Sequence, residues 1–170
     1  MPARERGATR LGRMPEFERM PVELHKILSG RGFRARNCLA LPFLTVDPEG
    51  FPRAALLTLS EVRATSREQL SVAAQAGSRT AANLIRRKKA ALCYLARNWA
   101  AWIQTTAGHA RICNTDPERQ IFPLTVFRVK IDRARPSEAG IGLLSGPTFA
   151  ESGSRELYSE ELFEELGRTV

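Results

Sequence analysis

Residues 38–75 read CLALPFLTVDPEGFPRAALLTLSEVRATSREQLSVAAQ, and the order of strand and turn signals in this stretch decides the architecture. Its first part, 38–46, is apolar and β-prone. Asp47-Pro48-Glu49-Gly50 then supplies turn chemistry: a proline that presets φ, an acid that bonds nearby backbone, and a glycine free to adopt positive φ. A second strand is expected over 52–64, carrying Leu56, Leu57, Leu59 and Val62. Ser66-Arg67-Glu68 turns it into a third around 69–74. Strand, turn and strand in immediate succession make an antiparallel meander.

Gly77 and Ser78 end the meander, and Ser78 is placed to cap a helix over 79–89 whose apolar residues are Ala81, Ala82, Leu84 and Ile85. A fourth strand is expected at 90–95, a turn at Arg97-Asn98, and a long fifth strand over 99–112 containing Gly108. Residues 125–131 alternate, which predicts a half-exposed sixth strand with Thr125, Phe127, Val129 and Ile131 on one face and Val126, Arg128 and Lys130 on the other. Upstream, PVELHKIL at 21–28 reads as a short helix with Pro21 at its first position and its close near Gly30. Downstream, SRELYSEELFEEL at 154–166 reads as an amphipathic, Glu-rich helix through Leu157, Tyr158, Leu162 and Leu166. Four segments follow: an Arg-rich stretch 1–13 expected to be disordered, a lead-in with a helix over 14–36, a barrel domain over 37–136, and a loop with an acidic helix over 137–170. Met14 stands at the head of the first structured stretch and is an alternative start. The fold class is mainly β, a six-stranded antiparallel barrel with flanking helices.

At 170 residues, 43% apolar and 26% charged, the chain is sized for one ordinary domain and is neither wholly disordered nor fibrous. The formal charge of +8 is unevenly spread, at +5 over residues 1–36, +8 over 37–136 and −5 over 137–170. Cys38, Cys93 and Cys113 are odd in number and widely spaced, so they form neither a disulfide framework nor a thiolate zinc site. Apolar runs such as 90–96 fall far short of the roughly 18 residues of a membrane span, and no leader-like apolar segment stands near the start, so a cytoplasmic location is expected. Walker, G-x-G-x-x-G, G-x-S-x-G and H-E-x-x-H motifs are absent, and two distant histidines make no metal site. His109 is expected as a strand residue with a local hydrogen bond rather than a catalytic base. Arg86-Arg87-Lys88-Lys89 could draw nucleic-acid phosphates and Trp99 and Trp102 could stack on bases. Cations at a helix C-terminus and tryptophans in a core need no such partner, so nucleic acid is the lesser expectation.

The chemistry-bearing segment is Gly77-Ser78-Arg79-Thr80-Ala81-Ala82-Asn83-Leu84. A helix N-terminus offers unpaired N–H groups, Ser78 and Thr80 add hydroxyls, and Arg79 can grip oxyanions bidentately. Arg53, on the second strand, is a candidate second phosphate ligand.

In order, these segments resemble the flavin-binding split barrel of the pyridoxamine 5′-phosphate oxidase family. The matching elements are the turn 45–52 (TVDPEGFP), an Arg-x-x-Leu-Leu strand at 53–57, the helix start Ser78-Arg79-Thr80, a basic helix end with an apolar strand at 86–95, and Gly108-His109-Ala110-Arg111. The match spans roughly residues 37–135. It implies that Arg53, Ser78, Arg79 and Thr80 hold the phosphate of FMN and that the backbone through Leu56, Leu57 and Thr58 runs along the isoalloxazine ring, with Asn83 contributing. It further implies a homodimer with the flavin at the subunit interface and a small-molecule substrate. Three departures stand beside the match. Thr58 replaces a lysine usual near the ring. The register of a ring-proximal glutamine falls on Trp102 or Ile103, with Gln104 adjacent. The Arg-x-His element that helps bind pyridoxal phosphate has no counterpart, so vitamin B6 oxidation is not expected. Deazaflavin or haem are the alternative cofactors, and a cofactor-free binding module is the alternative class of function.

Overall fold

In a computed structural model, which describes residues 16–30, 38–133, 145–150 and 159–168, the meander expected from 38–75 forms as follows. After a two-residue strand β1 (Glu16–Phe17) and helix α1 (Val22–Leu28) come β2 (Ala40–Val46) and β3 (Pro52–Thr58), paired antiparallel from Ala40↔Thr58 to Val46↔Pro52. The turn between them closes through Asp47: its Oδ1 accepts from Phe51 N at 2.7 Å and its carbonyl from Gly50 N at 3.1 Å, with Gly50 at φ +94°. A 3-10 turn (Leu59–Glu61) then leads into β4 (Val62–Ala64) and β5 (Gln69–Gln75). The single strand expected over 52–64 is therefore two. Thr58 and Glu61 form a reciprocal capping box that turns the chain between them.

Helix α2 (Arg79–Arg87) and β6 (Lys89–Leu95) follow, then β7 (Trp99–Ala107), β8 (Arg111–Ile112), β9 (Arg119–Arg133) and α3 (Glu160–Leu166). Helix α2 stops two residues before the expected end because Lys88 turns left-handed at φ 54°. Helix α1 starts at Val22, with Pro21 as its N-cap rather than its first helical residue. The expected disorder of 1–13, the alternative start at Met14 and the contribution of Leu157 and Tyr158 to the last helix lie outside the described residues.

The strands form one antiparallel nine-stranded sheet in the order β3-β2-β6-β7-β9-β5-β4, with β1 and β8 also paired to β9. Side chains of one register row explain its cohesion. Phe43, Leu92, Ile103 and Val129 are cross-strand partners in succession, and all four are fully buried. The sheet curls around this row, and Met20, just before α1, joins Leu24, Ile27 and Leu28 of the helix in the same core. Six of the strands are the expected barrel. The additional ones are two-residue pieces and the short β4.

Two expectations about the long strands are corrected. The alternation of 125–131 places Phe127 with Val129 and Ile131, yet Phe127 is 60% exposed while Val126 is buried. The register passes from Gln104↔Arg128 to Thr105↔Val126, leaving Phe127 as the extra residue of a β-bulge that reverses the phase of the strand. The strand expected over 99–112 breaks after Ala107. Opposite the break sits Pro123, whose carbonyl accepts from Gly108 N at 2.8 Å but which has no N–H to return. Pairing resumes at Arg111↔Ile121 one residue out of step, so 108–110 loop outward.

On the convex face, α3 covers β5 and β9 through Leu162 and Leu166, which pack with Ala73, Cys113 and Ile121 in a second apolar cluster. Glu165 is fully buried there, accepting from Arg111 Nη1 at 2.9 Å, Asn114 N at 2.7 Å and Thr115 N at 2.8 Å. Phe163 reaches toward Gly30, whose φ is +99° and where an added Cβ would lie 2.7 Å from the ring. Gly30→Ala should therefore cost about 2 kcal/mol or more, combining left-handed strain with overpacking, read as a lowered urea midpoint. An unchanged midpoint would show that this contact carries no stability.

Candidate functional site

The site grows from the edge strand β3 and the first turn of α2. Helix α2 is fastened over the β2–β3 hairpin at two points. Asn83 Nδ2 donates to Thr45 Oγ1 at 3.0 Å, both residues being buried, and Arg87 Nη2 donates to the Pro48 carbonyl. Thr45 is in turn the cross-strand partner of Arg53. This chain of contacts brings Arg53, on the strand, into a cavity of about 410 Å³ with Arg79, Asn83 and Arg86 from the helix and Asp47, Pro48 and Glu49 from the hairpin turn.

Ser78 makes the helix cap. Its Oγ accepts from Ala81 N at 3.2 Å, and Gly77 at φ +73° bends the chain into it. By helix geometry the N–H groups of Arg79 and Thr80 have no partner inside α2, and no acid stands in the first turn to compete for an anion. Ser78 and Thr80 open not toward Arg79's cavity but into a second one, of about 350 Å³, together with Leu56 and Leu57 of β3 and Ala73 to Gln75 of β5. These two strands are not paired, so the second cavity is the split of the barrel. The structure thus sorts the expected residues onto the two sides of one helical turn. Arg53, Arg79 and Asn83 line one cavity, and Leu56, Leu57, Ser78 and Thr80 line the other.

Thr58 lines neither. Its N–H donates to Glu61 Oε2 at 2.7 Å, and its Oγ1 lies 2.8 Å from Ser60 Oγ and 3.0 Å from Glu61 Oε2. Asn83, with its amide committed to Thr45, fastens the helix. For the strand carrying the ring-proximal register, Ile103 is core while Gln104 faces the convex side between Ala91 and Arg128. Trp99 stacks near Tyr94, with ring centroids 4.9 Å apart, and carries the Arg133 guanidinium over its own ring.

Sequence reasoning missed the polar wall of the split. Arg119 pairs with Glu61 Oε1 and, through Nε at 2.9 Å, with Asp116 Oδ2. Burial works to lower the pKa of this guanidinium, but the two carboxylates outweigh it and hold the value above the ordinary one. Glu61 and Arg119 are 58 positions apart, so no local spacing announces the pair. Only the Thr58-Leu59-Ser60-Glu61 capping pattern was open to a sequence reading.

A third cavity, of about 540 Å³, lies on the convex sheet face, where Leu44, Val46, Ala91, Gln104 and the bulged Phe127 form a mostly apolar patch. Among the described residues no group of three or more His, Cys, Asp or Glu is arranged to hold a metal, and no helix is long and apolar enough to cross a membrane.

Comparison with known proteins gives a consistent picture of the fold. No protein-family model matches the chain. An uncharacterized protein of Bacillus subtilis (strain 168), YclD, is 26% identical over 132 residues, covering 73% of this chain and 81% of that protein. Among solved structures, PhzG from Burkholderia lata 383, solved in complex with tetrahydrophenazine-1-carboxylic acid, superposes with a TM-score of 0.53 at 11% identity, covering 70% of this chain and 82% of that one. HupZ of Group A Streptococcus gives 0.51 at 14% identity, covering 77% and 100%. An FMN-binding protein from Syntrophomonas wolfei gives 0.50 at 11% identity, covering 62% and 84%. The chain therefore has the antiparallel split β-barrel fold with flanking helices that these proteins share.

Proposed function

We propose that the protein binds FMN and acts as a flavin-dependent oxidoreductase on a small organic substrate, with the flavin at the interface of a homodimer. The observation that carries this reading is the convergence of Arg53 and Arg79 on one cavity beside an acid-free helix N-terminus. Two guanidinium groups and the free backbone N–H groups of the first helical turn are the donor set a phosphomonoester needs, while the hydroxyls of Ser78 and Thr80 face the neighbouring cavity with Leu56 and Leu57. Asp47, which shares the cavity, already accepts hydrogen bonds within its own turn, so its carboxylate is partly engaged. In this assignment Leu56 and Leu57 offer backbone and apolar surface to the ring system. The buried tie between Asn83 and Thr45 keeps the helix start in register with Arg53. When bound, FMN supplies the redox chemistry, and the chain's own residues hold its phosphate and exclude water. A fluorescence titration of FMN into the purified protein should show saturable quenching at one flavin per chain. Absence of quenching would overturn the reading.

The dimer is proposed through the convex patch around Phe127. A phenylalanine displayed by a bulge beside Leu44, Val46 and Ala91 is the kind of contiguous apolar surface that a partner covers. Phe127→Asp should convert the dimer to monomers on gel filtration while leaving the fold intact by circular dichroism. A monomeric parent protein, or a variant that stays dimeric, would refute this interface.

A further inference from the structure

We propose that the protein carries a second anion site, remote from the split, which takes a small oxyanion of phosphate or sulfate size. It is a cavity of about 190 Å³ into which Thr65, Ser71, His109, Arg111 and Arg168 open, over an apolar floor that includes Pro123. Among the described residues no carboxylate lines it.

The decisive residue is Ser71. It is only 9% exposed, and its hydroxyl has no hydrogen-bond partner among the described residues, so its remaining freedom points into the cavity. No buried side-chain polar atom lacks a partner among the described residues, so this hydroxyl is reached from the cavity and is available to a ligand there. Above it, Arg111 is held rigid by Glu165, with Nη1 donating to Oε1 and Nη2 to the backbone carbonyl, both at 2.9 Å. Those bonds use two of the five N–H donors of the guanidinium and leave the others for a ligand. His109 reaches the cavity because Pro123 interrupts the β7–β9 pairing and 108–110 loop out; its imidazole has no partner among the described residues. Arg168 follows the end of α3 and forms no ion pair among the described residues. Both acids in the last turn of α3 are occupied: Glu165 by Arg111, Asn114 and Thr115, and Glu164 by Arg63 at 3.3 Å.

Cations near a helix C-terminus can serve the helix itself. Here three carbonyls of the last α3 turn already have donors: Phe163 accepts from Arg63 Nη1, Glu164 from Gly167 N, and Glu165 from both Arg168 N and Arg111 Nη2. The cavity lies at the Gln69–Ser71 end of β5, whereas the split uses Ala73 to Gln75, so the two sites do not share a wall residue.

The test uses the full chain and inorganic phosphate, followed through the imidazole resonances of its two histidines, His25 and His109, with His25→Asn providing the assignment. Phosphate should shift the His109 signals saturably and leave His25 unmoved, and sodium chloride at matched ionic strength should not reproduce the shift. Arg168→Ala and, independently, Ser71→Ala should each weaken the midpoint by about fivefold or more, while Arg79→Ala leaves it unchanged. A shift that chloride reproduces, that fails to saturate, or that disappears with Arg79→Ala instead of Arg168→Ala would overturn the site.

Discussion

Arg79→Ala is expected to weaken FMN binding by about tenfold to a hundredfold, the loss of a charge-assisted phosphate contact. The side chain shares its cavity with Arg53, so the two guanidinium groups act on one anion, and the double variant should fall short of the product of the single effects. Riboflavin, which lacks the phosphate, provides the internal control. Its affinity should barely change in Arg79→Ala, because the surfaces assigned to the ring lie on β3 across the helical turn. Equal losses for FMN and riboflavin would mean that the variant damages the fold or the ring pocket rather than a phosphate clamp. Unchanged FMN affinity would count against the clamp itself.

Much of this arrangement is legible in the sequence because its determinants are local. The Asp-Pro-Glu-Gly turn at 47–50 forms the hairpin, and Ser78 caps α2 as its position before an apolar run requires. What the sequence hides is set by distant partners. β9 begins at Arg119, six residues before the alternating pattern starts, because Gln69 to Gln75 supplies a full ladder of partners that tolerates Pro123 in mid-strand. The bulge at Phe127 leaves no mark in the alternation, which still reads as regular, yet it reverses which residues face the core. At the site, Ser78, Arg79 and Thr80 are adjacent in sequence but face two cavities, a division that only the placement of α2 between the hairpin and the split produces. The Arg119–Glu61 pair that walls the split joins residues from opposite halves of the barrel, and no spacing rule reaches that far.

The second large effect concerns the acidic C-terminal helix. Glu165→Ala should destabilise the protein by about 3 kcal/mol, because it strands the Arg111 guanidinium and two backbone N–H groups that the buried carboxylate now satisfies. The same residue makes stability depend on acid. Burial acts to raise the pKa of Glu165, but hydrogen bonds from Asn114 N, Thr115 N and its hydroxyl, and Arg111 outweigh it and hold the carboxyl far below the usual carboxylate range. A folded-state value below the unfolded one means that the stabilisation is complete above roughly pH 4.3 and drains away as the pH falls further. The parent protein should therefore lose stability steeply below about pH 4, and Glu165→Ala, already without this contribution, should show a shallower acid limb. Urea midpoints at a series of pH values measure both effects. Parallel acid limbs for parent and variant would show that Glu165 is not the group responsible.

The central claim, a flavin held by the turn of α2 and the edge strand β3, is tested most directly by an absorption spectrum of the protein as isolated and again after incubation with FMN and gel filtration. Twin bands near about 370 and 450 nm should co-elute with the protein. A single band near about 400–420 nm would place deazaflavin or haem in the barrel instead, and a colourless protein that FMN does not load would rule out a flavin at this site.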